Sequence, residues 1–291
     1  MLDVGTQCPG CHRTLRIGLQ EWHRVCEGCS YEGSTLLVDI DVDGNAEVVD
    51  EAMRAEGLEH LREQNFQTLI TDLTARVTGE PGKRRRLLDV GCAHGWFLEA
   101  GQAHFDVAGI EPDARIAAVA AAKSLDVRRG FFPDVLTADE RFDVIVFNDV
   151  LEHIPDIDAA LKACARHLAP GGWVVVNAPA STGVLYRISR GVVRVGLPAS
   201  FDRMWQKGFP SPHVHYLDDA SMAAIAAHSG LRVSDVLTLP SMSNRGLYAR
   251  IRADRSVPAA KAAAMTAVLT VASPVLAAMP ADIKVWMLQA T

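Results

Sequence analysis

The sequence predicts an α/β chain, a mostly parallel sheet with helices on both faces, preceded by a small cysteine-rich module. Three observations predict it. From Arg86 onward, strand-like runs alternate with helical runs, the pattern of a parallel sheet covered on both sides. A glycine-bracketed turn, Gly91 to Gly95, joins the first of those strands to its helix. Two CxxC pairs fall within the first 37 residues.

In chain order, residues 1–37 form the cysteine module and 38–57 an acidic hairpin or linker with Asp39, Asp41, Asp43, Glu47, Asp50, Glu51 and Glu56. Leu37, Ile40 and Val42 alternate into Asp43-Gly44, as a strand entering a hairpin does. The same stretch mimics the opening of a calcium loop. Asp50 rather than glutamate holds its twelfth position, and no helix precedes it, so the hairpin is preferred. The main domain spans 58–291. Apolar residues at 58, 61, 66, 69, 70, 73 and 77 share one helical face, and Glu80-Pro-Gly-Lys83 ends that helix. Strands are predicted over 86–90, 107–111, 142–148, 173–177, 231–239 and 283–289, with helices over 96–104, 113–124, 156–167 and 218–228. A lid-like insertion is expected at 181–210 and a helical insertion at about 255–280.

At 291 residues and 49% hydrophobic, the chain can hold one large domain plus an appendage. Its net charge of −6 argues against an extended nucleic-acid surface. The opening MLDVGTQCPG lacks an export signal, and paired thiols without one point to the reducing cytoplasm. Residues 262–279 carry no charge over 18 positions, the lower edge of a membrane span. Thr266, Thr270, Ser273 and Pro274 favour instead a helix packed on the domain.

Cys8-Pro-Gly-Cys11 and Cys26-Glu-Gly-Cys29 are two knuckles separated by 14 residues. Four thiolates on two tight turns can surround Zn²⁺ tetrahedrally, and so short a segment needs such a staple to fold. The module therefore reads as a zinc ribbon, with packing or docking as its role. His12 and His23 are spare ligand types beside a complete set of four.

Leu87-Leu-Asp-Val-Gly-Cys-Ala-His-Gly95 is the most informative segment. A buried strand ends at Asp89, and Gly91 and Gly95 bracket a tight loop, with Cys92 inside it, into a helix N-terminus. The spacing is neither GxGxxG nor a P-loop. Glu111, 22 residues after Asp89 at the tip of the next strand, is placed to accept hydrogen bonds from both hydroxyls of a ribose.

LLDVGCAHG, GIEPD, FDVIVFNDVLEHIPD and LAPGGWVVVNAP resemble, in order, the motifs of class I S-adenosylmethionine-dependent methyltransferases. Val150-Leu-Glu-His-Ile154 and Pro212-His-Val-His-Tyr216 resemble the branch with ubiquinone-biosynthesis and other small-molecule O-methyltransferases. Ala93-His94 stands where the usual third glycine would be. The resemblance implies a Rossmann-like, mostly parallel seven-stranded sheet, and S-adenosylmethionine as cofactor. Asp89, Gly91 and Gly95 would hold its methionine end, Glu111 its ribose, Phe131 or Phe132 its adenine, and Asn148 the floor near the sulfonium.

At the reacting end, Asp149, Glu152 and His153 follow the strand at 142–148, and in a helical turn they share one face. His153 suits a general base. The resemblance also implies a divalent metal such as Mg²⁺ on that face. His213 and His215, two apart in an extended segment, point the same way toward the cleft or form a structural pair. In the insertion, Val184, Ile188, Val192 and Val195 make an apolar stripe, with Arg187, Arg190 and Arg194 on another face. Such a helix suits a lid, a peripheral membrane contact through 182–197, an arginine clamp on an acceptor phosphate, or a solvated outer face. The expected reaction is O-methylation of a small sugar-like, polyketide-like or quinone-like acceptor. Ribosomal RNA methylation guided by the ribbon and an inactive cofactor-binding regulatory module are the competing readings.

Overall fold

The first helix starts earlier than its apolar periodicity suggested. In the computed structural model, which describes residues 6–39, 50–77 and 83–291, Asp50 caps α1 (Glu51–Arg76) by accepting the Met53 amide at 3.1 Å. Residues 51–57 thus belong to that helix and not to a linker, because the cap decides the start. The Asp43-Gly44 turn, the calcium-like stretch and Glu80-Pro-Gly lie outside the described residues.

β4 (Arg85–Val90), β5 (Phe105–Glu111), β6 (Val127–Arg129), β7 (Phe142–Asn148) and β8 (Leu168–Pro179) run parallel. β10 (Leu231–Leu239) and β11 (Ile283–Ala290) complete a seven-stranded sheet of order β10-β11-β8-β7-β4-β5-β6, in which β11 is antiparallel to both neighbours. The order reverses between β4 and β7, a switch point that opens a crevice at the strands' carboxyl ends.

Burial alternates along these strands. Leu87, Val144, Val146, Val175, Val285 and Met287 face α1 and α2 (Trp96–Gly101). Leu88, Ile145, Phe147, Val174, Val176, Trp286 and Leu288 face α4 (Ile157–His167) and α7 (Asp219–His228). A strand buried on both sides reads as a continuous apolar run, as these do. α3 (Ala114–Ala121) covers β5 and β6 and is capped by Asp113, which accepts from Arg115 and Ile116.

The cysteine module is not a free appendage. Its strands β1 (Arg16–Ile17), β2 (His23–Val25) and β3 (Glu32–Ser34) form an antiparallel sheet that takes β9 (His215–Tyr216) from the main domain as its fourth strand. Cys8, Cys26 and Tyr31 are buried in the same apolar cluster as Leu88 and Ile145.

The insertion forms α5 (Val184–Arg194) and α6 (Ala199–Met204), whose predicted phase is wrong. Val184, Tyr186, Ser189 and Val193 are the buried face, while Ile188 and Val195 of the expected stripe point outward at 51% and 75% exposure. The reason is polar: Tyr186 and Arg190 turn inward to reach Glu32. The second insertion forms α8 (Leu247–Arg252) and α9 (Ala259–Ala277). Only Ala262 of α9 is buried, so the expected packing of this helix holds along one edge, against Leu247, Ile251 and Val257.

Candidate functional site

The crevice at the switch point is lined by Asp89, Gly91, Cys92, Ala93, His94, Asn148 and Asp149, with Arg62 and Phe66 closing it from α1 and Trp96 and Phe97 from α2. Gly91 adopts φ +71°, and a Cβ there would lie 2.6 Å from Val150, so the glycine lets the loop pack on the segment after β7. Gly95, at φ +80°, is the N-cap of α2.

Glu111 is buried at the tip of β5 and accepts the amides of Ala93 (3.0 Å) and Asp113 (2.9 Å). A carboxylate has about four lone-pair sites, so it shapes the loop and keeps acceptor capacity for hydroxyls. Burial raises its carboxyl above the ordinary value, opposed by those two amides. Asp89 is 2% exposed, and burial pushes its carboxyl up to about 8, with the Asn148 amide opposing at 3.3 Å and Glu111 adding. An acid held this far from water, on a crevice wall, suits a cationic ligand group.

Cys92 lines the crevice and also packs its side chain with Leu98 and Leu125, where burial drives its thiol up. Two residues behave differently from expectation. Phe132 packs edge-on against Phe147 (5.7 Å) and joins the core, while Phe131 is half exposed; neither lines the crevice. Sequence reasoning missed Arg62, Phe66 and Trp96. The guanidinium of Arg62 lies 5.3 Å from the Trp96 ring centre, which stacks with His94. Their only sequence signal is an arginine on the helix preceding β4.

Beyond Asn148 the chain does not enter a regular helical turn. Asp149 adopts φ +55°, a costly conformation for a residue with a side chain, and a 3₁₀ turn follows at Leu151–His153. The expected face of Asp149, Glu152 and His153 is therefore replaced. Glu152, His153 and His213 come together, each offering a ligand atom within 4.8 Å of the others. Glu152 is 1% exposed, and among the described residues neither carboxylate oxygen has a hydrogen-bond partner. Burial, reinforced by Asp149, holds its carboxyl well above the usual carboxylate range. His153 Nδ1 donates to the Pro212 carbonyl (2.9 Å), which makes Nε2 the lone-pair nitrogen. The Gln206 amide donates to His213 Nε2 (2.8 Å), and the two imidazoles lie 4.8 Å apart.

His215 is hydrogen-bonded through both ring nitrogens. Its Nε2 donates to the Ile154 carbonyl (2.8 Å), its Nδ1 accepts from the Tyr31 hydroxyl, and burial lowers its imidazole to about 4. It is a neutral tie between module and domain, so the two histidines of this segment do not act together.

At the ribbon, Cys8 and Cys29 Sγ lie 3.3 Å apart, Cys11 and Cys26 3.3 Å, and Cys26 and Cys29 3.7 Å. A tetrahedron with Zn–S of about 2.3 Å has edges of that order. The four thiols fit a structural zinc. His12 is instead against His228, and His23 accepts the Leu19 amide and donates to Glu32.

The methyltransferase-domain family model matches residues 59–236, more than half of the chain. The chain belongs to the methyltransferase family. Among its curated relatives, the ubiquinone biosynthesis O-methyltransferase of Cereibacter sphaeroides is 35% identical over 127 residues, 41% of this chain and 50% of that one. The same enzyme of Thiobacillus denitrificans is 27% identical over 191 residues, 62% and 78% of the two chains. The chain spans 50% and 63% of the first two relatives' lengths. The cyclopropane synthase MmaA2 of Mycobacterium tuberculosis shares the fold at TM-score 0.52 and 20% identity, covering 77% of this chain and 83% of that one.

Proposed function

We propose that the chain moves a methyl group from S-adenosylmethionine to a hydroxyl of a small acceptor of quinone-like, sugar-like or polyketide-like chemistry, acting in the cytoplasm. One observation carries this: the buried acid Asp89 lines the switch-point crevice, the buried Glu111 holds the Ala93 amide of its loop, and the Glu152–His153–His213 cluster begins four residues beyond Asn148. The relatives named for ubiquinone biosynthesis support the acceptor class. When bound, the cofactor supplies an electrophilic methyl on a sulfonium. Asp89 would accept from its ammonium, Arg62 would pair with its carboxylate, and Glu111 would hold the ribose hydroxyls. Asn148 would line the sulfonium side.

On the acceptor side, His153 Nε2 would take the hydroxyl proton as it leaves. The cluster also fits a divalent cation, since Glu152 has two buried oxygens without partners. Two imidazoles and one carboxylate suit Mn²⁺ or Zn²⁺ better than Mg²⁺, which prefers oxygen ligands. Glu152, His153 and His213 would hold such an ion, where it would polarise an acceptor oxygen.

The test is cofactor turnover with a panel of ortho-diphenol and polyol acceptors, read as S-adenosylhomocysteine formed. No product with any of them overturns the acceptor class. Glu111→Ala is expected to weaken S-adenosylhomocysteine binding by about 1.5–3 kcal/mol, the scale of a hydrogen bond to a charged group. Unchanged affinity by calorimetry in the folded variant would remove Glu111 from the ribose.

We further propose peripheral membrane contact through 182–197, suited to a lipophilic acceptor. Ile188 and Val195 face outward, Leu197 beside them is 62% exposed, and Arg187 and Arg194 are exposed on the same helix. Arg190 is not available, because it pairs with Glu32 at 2.7 Å. At about 1 kcal/mol per basic residue near an anionic surface, Arg187→Gln with Arg194→Gln is expected to weaken binding to phosphatidylglycerol vesicles roughly 30-fold. Equal sedimentation of wild type and variant with those vesicles speaks against the contact.

A further inference from the structure

Glu32 lies three residues after the last ribbon cysteine and is buried on β3. Its carboxylate receives His23 Nε2 (2.9 Å) from the ribbon, and Tyr186 Oη (2.7 Å) and Arg190 Nη1 (2.7 Å) from α5. A buried carboxylate held by one cationic and two further donors depends on each of them, so each lost donor is costly. The same strand holds the segment that carries His213. Ser34 Oγ donates to the His213 carbonyl (3.1 Å), the Ser34 amide donates to the Val214 carbonyl (3.0 Å), and Val214 in turn donates to the Glu152 carbonyl (2.8 Å).

The cap completes the frame. The His213 amide donates to the Trp205 carbonyl (3.0 Å), and Trp22 of the ribbon stacks on Phe201 of α6 at 5.6 Å. Tyr186 stacks on Tyr216 of β9 at 4.1 Å. By contrast, the hydrogen bonds seen on Asp89 and Glu111 come from Asn148, Ala93 and Asp113, all within the main domain. Ribbon and cap thus grip the acceptor half of the site and leave the cofactor half alone.

We propose that Glu32 is a positioning residue for methyl transfer: it locks the α5–α6 cap to the ribbon, so that the ribbon's metal-bound fold sets the place of His213 against Glu152 and His153. Zinc here acts at a distance, by keeping β3 in register with β9. The inference rests on the methyl-transfer reading above, which places Glu152, His153 and His213 on the acceptor side.

The test is hydrogen–deuterium exchange of the whole chain, with S-adenosylhomocysteine calorimetry and zinc content alongside. Arg190→Gln cuts the link from the cap side and leaves the ribbon's own residues intact; Glu32→Gln cuts it from the ribbon side. Arg190→Gln is expected to speed exchange across 184–216 by tenfold or more, in keeping with loss of a charge-assisted hydrogen bond. Zinc content and S-adenosylhomocysteine affinity should stay within about twofold of wild type, and Arg190→Lys should restore most of the protection. Unchanged exchange at 184–216 in both Gln variants overturns the proposal, as does a rise spread equally through β4 to β8. Failure of the cofactor reading shows separately, as wild-type protein that does not bind S-adenosylhomocysteine.

Discussion

Removing the metal from Cys8, Cys11, Cys26 and Cys29 is expected to lower the melting temperature of the whole chain, not only of its first 37 residues. Structural zinc is worth about 10–16 kcal/mol of apparent binding energy in isolated modules, as large as the net stability of a domain. Here the ribbon is not isolated. Cys8, Cys26 and Tyr31 share a buried cluster with the main sheet and with α4 and α7, and β3 is paired to β9. Even a transmitted loss of about 5 kcal/mol would lower the melting temperature by about 10–20 °C for a domain of this size. Freshly purified protein should carry one zinc per chain. Chelation followed by differential scanning calorimetry should show the drop, and added Zn²⁺ should reverse it. Absence of metal by elemental analysis, or an unmoved transition after chelation, would sink the reading.

Where local chemistry sets an element, the sequence announced it. The bounds of β7 and β10 are those read from their apolar runs, and Asp113, Asp156 and Asp218 cap the helices they precede. β6 went unread because its three residues, Val127 to Arg129, are too short and polar to show a period. The cofactor loop was legible because glycine at positive φ leaves a mark that few other residues can leave.

Contacts between distant segments were not legible. Nothing local to Glu32 says that its partners lie 154 and 158 residues away. For the same reason the phase of α5 was misread: hydrophobicity alone favoured Ile188 and Val195 as the inner face. Breaking a buried ion pair costs about 3–5 kcal/mol, whereas Ile188 and Val195, at 51% and 75% exposure, forgo only part of the roughly 1.5–3 kcal/mol that full burial of each would give. His215 was likewise grouped with His213 by spacing, until Tyr31 and Ile154 showed it to be a structural tie. The Glu152–His153–His213 cluster was half legible. Two members sit in one motif, but the third arrives through β9, whose position depends on the ribbon.

His153→Ala is expected to lower kcat by about 10²–10⁴-fold while leaving S-adenosylhomocysteine affinity nearly intact, the usual cost of losing a positioned general base. Its ring is oriented by donation from Nδ1 to the Pro212 carbonyl, so Nε2 carries the lone pair. Alanine removes both the base and that tether. His153→Asn separates them, because its amide can still donate to Pro212 but offers no basic nitrogen. If proton removal is the role, Asn should be as slow as Ala. If the residue only holds the 212–216 segment in place, Asn should recover most of the rate. A metal role leaves a third signature: wild-type activity falls with chelator and returns with Mn²⁺, and Glu152→Gln and His213→Ala behave like His153→Ala, since the three ligand atoms share one site. Near-normal kcat in His153→Ala with a working acceptor would defeat base and ligand together. The reaction would then depend on cofactor approach and acceptor orientation alone.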